Sequence, residues 1–198
     1  MPPQAKKTER DFLFWSGGKD SFLALRYVQE DAEYDPILLT TFDDETGRVP
    51  HQNIPIETIR RQALELELIL FTIPLSYPAS NNEYLSAIRQ HLEQLPFSVN
   101  TLIFGDLHLQ DIREWREQVF HELGYKTRFP IWQKTYPELW ERLDNEPVEI
   151  RISGVKDSLK ELISPGDLYN AEFRGSLPKE IDKMGENGEF HTEVIFSG

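Results

Sequence analysis

The sequence contains no cysteine among its 198 residues. This absence excludes a disulfide scaffold, a thiolate zinc site and any mechanism that needs a cysteine nucleophile or a persulfide carrier. Long hydrophobic runs are also missing, since no apolar stretch approaches the roughly 20 residues of a membrane-spanning helix. The polar beginning, MPPQAKKTERD, is not typical of a signal peptide, so we expect a cytoplasmic protein with no membrane partner.

Basic residues are scarce relative to acidic ones. The chain has 21 Lys and Arg against 34 Asp and Glu, which gives a formal net charge of −13. A surface with this charge repels a phosphate backbone, so we do not expect a nucleic acid as a partner. Hydrophobic residues make up 39% and aromatic residues 12% of the chain, which is enough for a folded core. The length suits one compact domain, or one with a small appendage.

Apolar runs of strand length alternate with segments of helical period. The predicted strands are 11–15, 36–42, 69–73 and 101–104, and the predicted helices are 19–30, 56–68, 81–94 and 110–123. This alternation predicts an α/β fold with a doubly wound, mostly parallel, Rossmann-like sheet. After residue 129 we expect a helix at 136–143, a strand at 148–155, two short helical stretches and a strand at 192–196. The predicted units are a flexible tail (1–10), a larger domain (11–130) and a small C-terminal α/β lobe (131–198) at the carboxyl edge of the sheet.

A glycine-rich loop between the first predicted strand and helix is the strongest chemical signal. It reads SGGKDS and consists of Ser16, Gly17, Gly18, Lys19, Asp20 and Ser21. Two glycines allow the backbone to turn tightly near a phosphate, and the following helix adds the positive end of its dipole. The serines can donate hydroxyl protons, Lys19 supplies a charge, and Asp20 can orient the loop or help to hold Mg²⁺. A plain strand-to-helix turn is the alternative, but the strand before and the helix after favour nucleotide binding.

In this setting the SGGKDS loop resembles the PP-loop of the adenine-nucleotide alpha hydrolase group, the ATP pyrophosphatases, which cleave ATP between its α and β phosphates. A second motif, GENGEFHT at 185–192, resembles the diphthine–ammonia ligase family, as do Gly105-Asp106 and Pro130-Ile131-Trp132. The resemblance covers nearly the whole chain from residue 11. It implies that a substrate carboxylate attacks the α-phosphate to give an acyl-adenylate and pyrophosphate, and that ammonia then displaces AMP and leaves an amide.

The resemblance also implies roles for particular residues of the larger domain. The six residues of the SGGKDS loop would hold the pyrophosphate, with Lys19 and Asp20 taking part in catalysis. The end of the second strand is where this type of sheet meets adenine and ribose, which there means Thr40, Thr41 and Phe42; plain strand termination is the alternative for the last two. Gly105 and Asp106 would contact the substrate, and Asp20 and Asp106 would hold Mg²⁺. Helix capping is the alternative role of Asp106.

The C-terminal motif supplies the remaining candidates. Its glycines allow a loop to fold closely over a ligand, and Glu189 and His191 would act as a proton acceptor and a proton shuttle. A structural turn is the alternative for both. The residues expected to bind substrate in this motif are Glu186, Asn187, Gly188 and Glu189. His51 occupies roughly the place of a family histidine, and the acidic segment 43–45 is either a metal site or a solvated loop.

We therefore expect an ATP-dependent ligase that uses ATP and Mg²⁺. Its partners would be ATP, ammonia and a carboxylate-bearing substrate such as a protein side chain, and the residues do not decide whether it forms a homodimer. Two alternatives stay open: a non-catalytic ATP- or AMP-binding regulatory module, and an adenylating enzyme that modifies tRNA. The net charge of −13 and the missing cysteines argue against the tRNA enzyme.

Overall fold

The fold is built on a seven-stranded, mostly parallel sheet. The computed structural model describes residues 7–31 and 35–196, so most of the predicted tail (1–6) and residues 32–34 lie outside the described residues. The strands are Glu9–Phe14 (β1), Ile37–Asp43 (β2), Arg48–Val49 (β3), Ile54–Pro55 (β4), Leu70–Leu75 (β5), Ser98–Ile103 (β6) and Lys126–Arg128 (β7). The parallel strands run in the order β5-β2-β1-β6-β7, and β3 and β4 extend antiparallel from the end of β2.

This strand order confirms the predicted doubly wound sheet. The chain moves outward from β1 to β2 and β5, and then returns to place β6 on the other side of β1. Such a reversal leaves a crevice at the carboxyl ends of the two central strands, where open α/β sheets bind ligands. The connecting helices are Lys19–Asp31 (α1), Ile56–Glu65 (α2), Asn81–Gln94 (α3) and Gln110–Glu122 (α4), each close to its predicted bounds.

Two hydrophobic cores form because successive side chains of a strand point to opposite faces of the sheet. Along β1, Leu13 packs in the core that includes α1 and α2, whereas Phe12 packs in the core that includes α3 and α4. Both side chains are fully buried. Burying a side chain of this size contributes about 1.5–3 kcal/mol, so the apolar strands predicted from the sequence are held from both faces.

The C-terminal lobe packs mainly over the face of the sheet that carries α1 and α2. It consists of Tyr136–Asp144 (α5), Val148–Val155 (β8), a 3-10 helix at Asp157–Leu159, Ala171–Ser176 (α6) and Phe190–Phe196 (β9), with β8 and β9 paired antiparallel. Leu139, Ile150 and Val194 of the lobe belong to the same core as Leu13. The core of the lobe is thus continuous with that of the larger domain. The division into two units at residue 130 and the placement of the lobe at the carboxyl edge of the sheet stay predictions.

The short strands differ most from the predictions. None of β3, β4 and β7 was predicted, because strands of two or three residues show no periodicity. β1 begins at Glu9, so the sheet includes the end of the predicted tail. Phe14, which lies in the predicted strand 11–15, is only half-buried. No helix in the described part of the chain is long and apolar enough to cross a membrane.

Candidate functional site

A cavity of about 570 Å³ opens at the carboxyl ends of β1, β2 and β6. The predicted site residues that line it are Ser16, Asp20, Ser21, Thr41, Phe42, Gly105, Asp106, Glu186, Gly188 and His191. A second cavity, of about 950 Å³, lies near β8 and is lined by none of the predicted site residues. The smaller cavity is therefore the candidate site, because three motifs that are distant in the sequence meet there.

The glycine-rich loop takes its shape from contacts with β9. Gly17 has a φ of 81°, in the left-handed region, and its carbonyl accepts a hydrogen bond from the Val194 amide at 2.9 Å. The Lys19 amide donates to Thr192 Oγ1 at 3.0 Å. A Cβ on Gly18 would lie 2.8 Å from the Thr192 carbonyl oxygen, closer than real Cβ atoms come. The approach of β9 thus requires glycine at position 18, whereas the left-handed φ of Gly17 and its close approach to Ile59 of α2 require glycine at position 17. The Lys19 amide is engaged within the protein.

The hydroxyl groups of the loop face each other at the cavity. Ser16 Oγ and Ser21 Oγ lie 3.2 Å apart, and Ser21 Oγ donates to the Gly18 carbonyl at 3.0 Å. Because Ser21 donates its proton to the Gly18 carbonyl, Ser16 is the donor in the Ser16–Ser21 pair, and its proton is the one that a ligand at the cavity could accept instead.

Lys19 forms a buried ion pair with its neighbour Asp20. Its Nζ lies 2.8 and 2.9 Å from the two carboxylate oxygens, and the Lys19 side chain is 3% exposed. Burial lowers the pKa of Lys19, but the negative charge of Asp20 and the nearby Tyr169 outweigh this effect and raise the pKa. Because its pKa is raised, Lys19 stays charged in this ion pair. Asp20 lines the cavity and Lys19 does not, so direct contact of Lys19 with pyrophosphate stays a prediction.

Asp106 pairs with Arg116, a residue that the sequence analysis did not single out. Arg116 Nε lies 2.9 Å from Asp106 Oδ2, yet both atoms are buried without an aligned hydrogen-bond partner among the described residues. Burial raises the pKa of Asp106; the charge of Arg116 opposes this, and the charge of Asp20 adds to it. Helix α4 has Leu109 at its N-cap and no capping side chain, so the helix-capping alternative for Asp106 is wrong.

The C-terminal motif presents one glutamate to the cavity and uses the other to hold the loop. Glu186 lines the cavity, and burial together with the charge of Asp20 raises its pKa to about 8. Glu189 is 8% exposed and accepts hydrogen bonds from the Asp182 amide (3.2 Å), the Asn187 amide (2.9 Å) and Asn187 Nδ2 (3.2 Å). Neither Asn187 nor Glu189 lines the cavity, so their roles in substrate binding and catalysis stay predictions.

Two histidines stand at one side of the cavity. The ring centroids of His191 and His51 are 6.2 Å apart, and Tyr77 lies 6.1 Å from His51. Burial lowers the pKa of His191, and the neighbouring His51 and Lys19 lower it further, against the charge of Asp20. The imidazole of His191 is therefore neutral at pH 7, the form that accepts a proton.

Of the residues predicted at the end of the second strand, Thr40 lies outside the cavity. It is buried, and its hydroxyl donates to the Trp15 carbonyl at 2.6 Å, which ties β2 to β1. Thr41 and Phe42 line the cavity, as the strand-end argument expects. The acidic segment after them forms a turn, in which Asp43 Oδ1 accepts from the Glu45 amide at 3.2 Å.

An aromatic wall completes the cavity and was missed in the sequence. It is formed by Phe14, Tyr84, Phe104 and Trp115. The Arg116 guanidinium lies 4.4 Å from the Phe104 ring, within cation–π range, and hydrogen-bonds Tyr84. Helical spacing could have found part of this wall, since Ile112, Trp115 and Arg116 share one face of a helix that follows Gly105-Asp106.

The fold and the loop together define an α/β protein of the PP-loop ATP pyrophosphatase type. Residues 9–127 match the family model described as the diphthamide synthase N-terminal domain. The matched segment exceeds half of the chain and includes the SGGKDS loop. The chain therefore belongs to this family.

The fold also has a match among solved structures. It is similar to a crystal structure described as a predicted subunit of tRNA methyltransferase from Methanocaldococcus jannaschii, with a TM-score of 0.52 and 15% sequence identity. The match covers 96% of this chain and 97% of that chain, so it extends the likeness in fold through the C-terminal lobe. No curated protein matches the chain significantly.

Proposed function

We propose that the chain is an ATP-dependent ligase that adenylates a substrate carboxylate, releases pyrophosphate, and then forms an amide with ammonia and releases AMP. The observation that supports this most directly is the meeting of the SGGKDS loop, Gly105-Asp106 and the 185–191 segment at one cavity. Membership of a family that uses ATP supports the same proposal. The chemistry needs reactants held in place and charges balanced, rather than a protein nucleophile.

The charges around the loop suit a bound triphosphate. Lys19 neutralises Asp20, so this carboxylate adds little uncompensated negative charge beside the phosphates. Because its pKa is raised to about 8, Glu186 is mostly protonated at pH 7 and can donate a hydrogen bond instead of repelling an anion. Ser16 and the amino-terminal end of α1 add donors. Thr41 and Phe42 would contact the adenosine.

The acidic residues suit a Mg²⁺ ion that is held mostly by ATP. No group of three or more His, Asp or Glu within residues 7–31 and 35–196 is arranged to bind a metal by itself. Asp106 nevertheless has a buried oxygen without an aligned donor, and it lies near enough to Asp20 for their charges to interact. Since Mg²⁺ usually takes one or two carboxylates together with phosphate oxygens and water, Asp20 and Asp106 would be its protein ligands. When bound, the ion would neutralise phosphate charge.

Arg116 would hold the acceptor carboxylate. It is the only Arg or Lys among the described residues that line the cavity. Its planar guanidinium is fixed by Asp106 and the Phe104 ring, and its remaining N–H groups can bind a carboxylate in a bidentate manner.

The proposed reaction has two balanced steps. In the first, a carboxylate oxygen bonds to the α-phosphorus of ATP, and the bond from this phosphorus to the oxygen that bridges to the β-phosphate breaks, so pyrophosphate leaves. In the second, the nitrogen of ammonia bonds to the acyl carbon and the carbon–oxygen bond to AMP breaks. The nitrogen loses one proton, and neutral His191, which lines the cavity, would accept it.

An ATP–pyrophosphate exchange assay with a panel of carboxylates, with ammonium omitted, tests this proposal. We expect exchange only when an acceptor carboxylate is present, and stoichiometric AMP and pyrophosphate when ammonium is then added. Ser16→Ala should weaken ATP binding several-fold, because it removes a donor at the cavity, whereas Ser86→Ala on the exposed surface of α3 should not.

Two other results would contradict the ligase. Release of ADP and phosphate would show cleavage at the wrong bond. Tight binding of ATP or AMP without exchange for any carboxylate would favour a non-catalytic nucleotide-binding module.

A further inference from the structure

We propose that Gln62 and Thr192 are positioning residues for the phosphate-binding loop, so that strand β9 of the C-terminal lobe completes the ATP site. This inference rests on the proposed use of ATP. It assigns a role to two buried polar side chains that do not line the cavity and that the ligase chemistry does not use directly.

Gln62 forms hydrogen bonds with the glycine-rich loop, with Trp15 just before it and with strand β9. It lies on α2 and is 2% exposed. Its Nε2 donates to the Gly17 carbonyl at 3.1 Å and to the Val194 carbonyl at 2.8 Å, and its Oε1 accepts from Trp15 Nε1 at 2.9 Å. One amide therefore fixes the strand before the loop, the loop itself and β9. A buried amide with these partners tolerates little displacement, because each lost bond leaves a buried polar group unpaired.

Thr192 fixes the other side of the loop. It is 3% exposed, and its Oγ1 accepts from the Lys19 amide at the start of α1. Its own carbonyl oxygen would lie 2.8 Å from a Cβ on Gly18, closer than real Cβ atoms come. The Val194 amide, two residues further along β9, donates to the Gly17 carbonyl. The side chain and the backbone of one strand thus contact the loop at Gly17, Gly18 and Lys19.

These contacts act on the part of the site that would bind phosphate. Ser16, Asp20 and Ser21 face the cavity from the loop that β9 and Gln62 hold, whereas the proposed adenosine contacts at Thr41 and Phe42 come from β2. Loss of the Thr192 hydroxyl should therefore displace phosphate donors and leave the adenosine contacts in place. A small misplacement of such groups can cost far more in binding than the lost hydrogen bond costs in stability.

The test compares the affinities of the protein for ATP and adenosine by titration calorimetry. Thr192→Val keeps the shape and removes the acceptor, Thr192→Ser restores a hydroxyl, and Thr127→Val on β7 is the matched control. We expect Thr192→Val to weaken ATP binding about tenfold, equivalent to about 1.4 kcal/mol, with adenosine affinity unchanged within about twofold. Thr192→Ser and Thr127→Val should resemble the wild type. Gln62→Met, which also loses its three hydrogen bonds, should give the same selective loss.

The outcomes separate the two proposals. Wild-type protein that binds no ATP contradicts the proposed function and this inference with it. A second outcome contradicts only the inference. In it, the wild-type protein binds ATP, and Thr192→Val and Gln62→Met have lower melting temperatures but the same ratio of ATP to adenosine affinity as the wild type. A Thr192→Ser variant as weak as Thr192→Val also overturns it, because the hydroxyl is then not the cause. If Thr192→Val does not fold, the Gln62→Met ratio decides.

Discussion

Replacing Glu186 with Gln should stabilise the protein, and increasingly so as the pH rises. Glu186 is partly buried at the cavity beside Asp20, and burial with this neighbouring charge raises its pKa from the ordinary 4.5 to about 8. Between these two pH values the folded state keeps a proton that the unfolded state has released. The free energy of unfolding therefore falls as pH rises through this window, because the unfolded state binds fewer protons.

The magnitude follows from the difference between the two pKa values. At 1.36 kcal/mol per pH unit, a rise from 4.5 to about 8 corresponds to roughly 5 kcal/mol above pH 8. Glu186 keeps some contact with water and its neighbours can relax, so we expect roughly 2–3 kcal/mol. Glu186→Gln removes the titration and keeps the shape, so its stability relative to the wild type should change little below pH 4.5 and gain this amount by pH 9.

Urea unfolding at pH 5, 7 and 9 measures this effect. Glu141→Gln, on the exposed side of α5, is the matched control and should follow the wild-type pH profile. Parallel profiles for Glu186→Gln and the wild type would refute the reasoning, because Glu186 would then titrate alike in the folded and unfolded states. The protonated Glu186 that we propose as a phosphate donor would be refuted with it.

Two further substitutions test contacts that hold the site and its supporting helix. Gly18→Ala should destabilise the protein by about 1–3 kcal/mol, because the new Cβ meets the Thr192 carbonyl, whereas Gly175→Ala has open space around its Cβ; equal urea midpoints would contradict the close approach. Ser80→Ala should cost about 1 kcal/mol in the same measurement, because it removes the capping box that Ser80 forms with Glu83 at the start of α3. An unchanged midpoint for Ser80→Ala would show that this cap contributes nothing.

The Gly18 contact also decides which variants can report on ATP binding. An aspartate at position 18 would place a carboxylate in the phosphate-binding loop, but it would first collide with β9. Loss of activity in such a variant would mix a structural defect with an electrostatic one. Ser16→Ala avoids this problem, because Ser16 lines the cavity and shrinks without a clash.

Much of the fold could be predicted from the sequence because its signals are local. The period of apolar residues placed α1 to α4 within a few residues of their observed bounds. The two glycines between a strand and a helix indicated the loop, since a tight turn there needs residues without a side chain. The alternation of strands and helices then favoured a parallel sheet, whose strand ends meet at one edge.

Only the tertiary structure shows which side chains of each motif line the cavity and which make contacts within the protein. Lys19 and Glu189 are predicted catalytic residues because they lie in glycine-rich segments. In the structure the ammonium of Lys19 pairs with Asp20, and the carboxylate of Glu189 accepts hydrogen bonds from backbone amides of its own loop. Arg116 stands in an ordinary amphipathic helix but lines the cavity. A motif shows which chemical groups are near, but the direction of each side chain depends on packing from elements elsewhere in the chain.

The sequence by itself determined the order of the main strands and helices, the place of the glycine-rich loop and the edge of the sheet where a ligand would lie. Each depends on neighbours within about one turn or one strand. Only the tertiary structure decided what holds that loop, because the partners are far apart: Lys19 and Thr192 are separated by 173 positions, and Gln62 and Val194 by 132. Contacts of this range leave no periodic trace in the sequence, since they exist only after α2 and β9 have packed on the same side of the sheet.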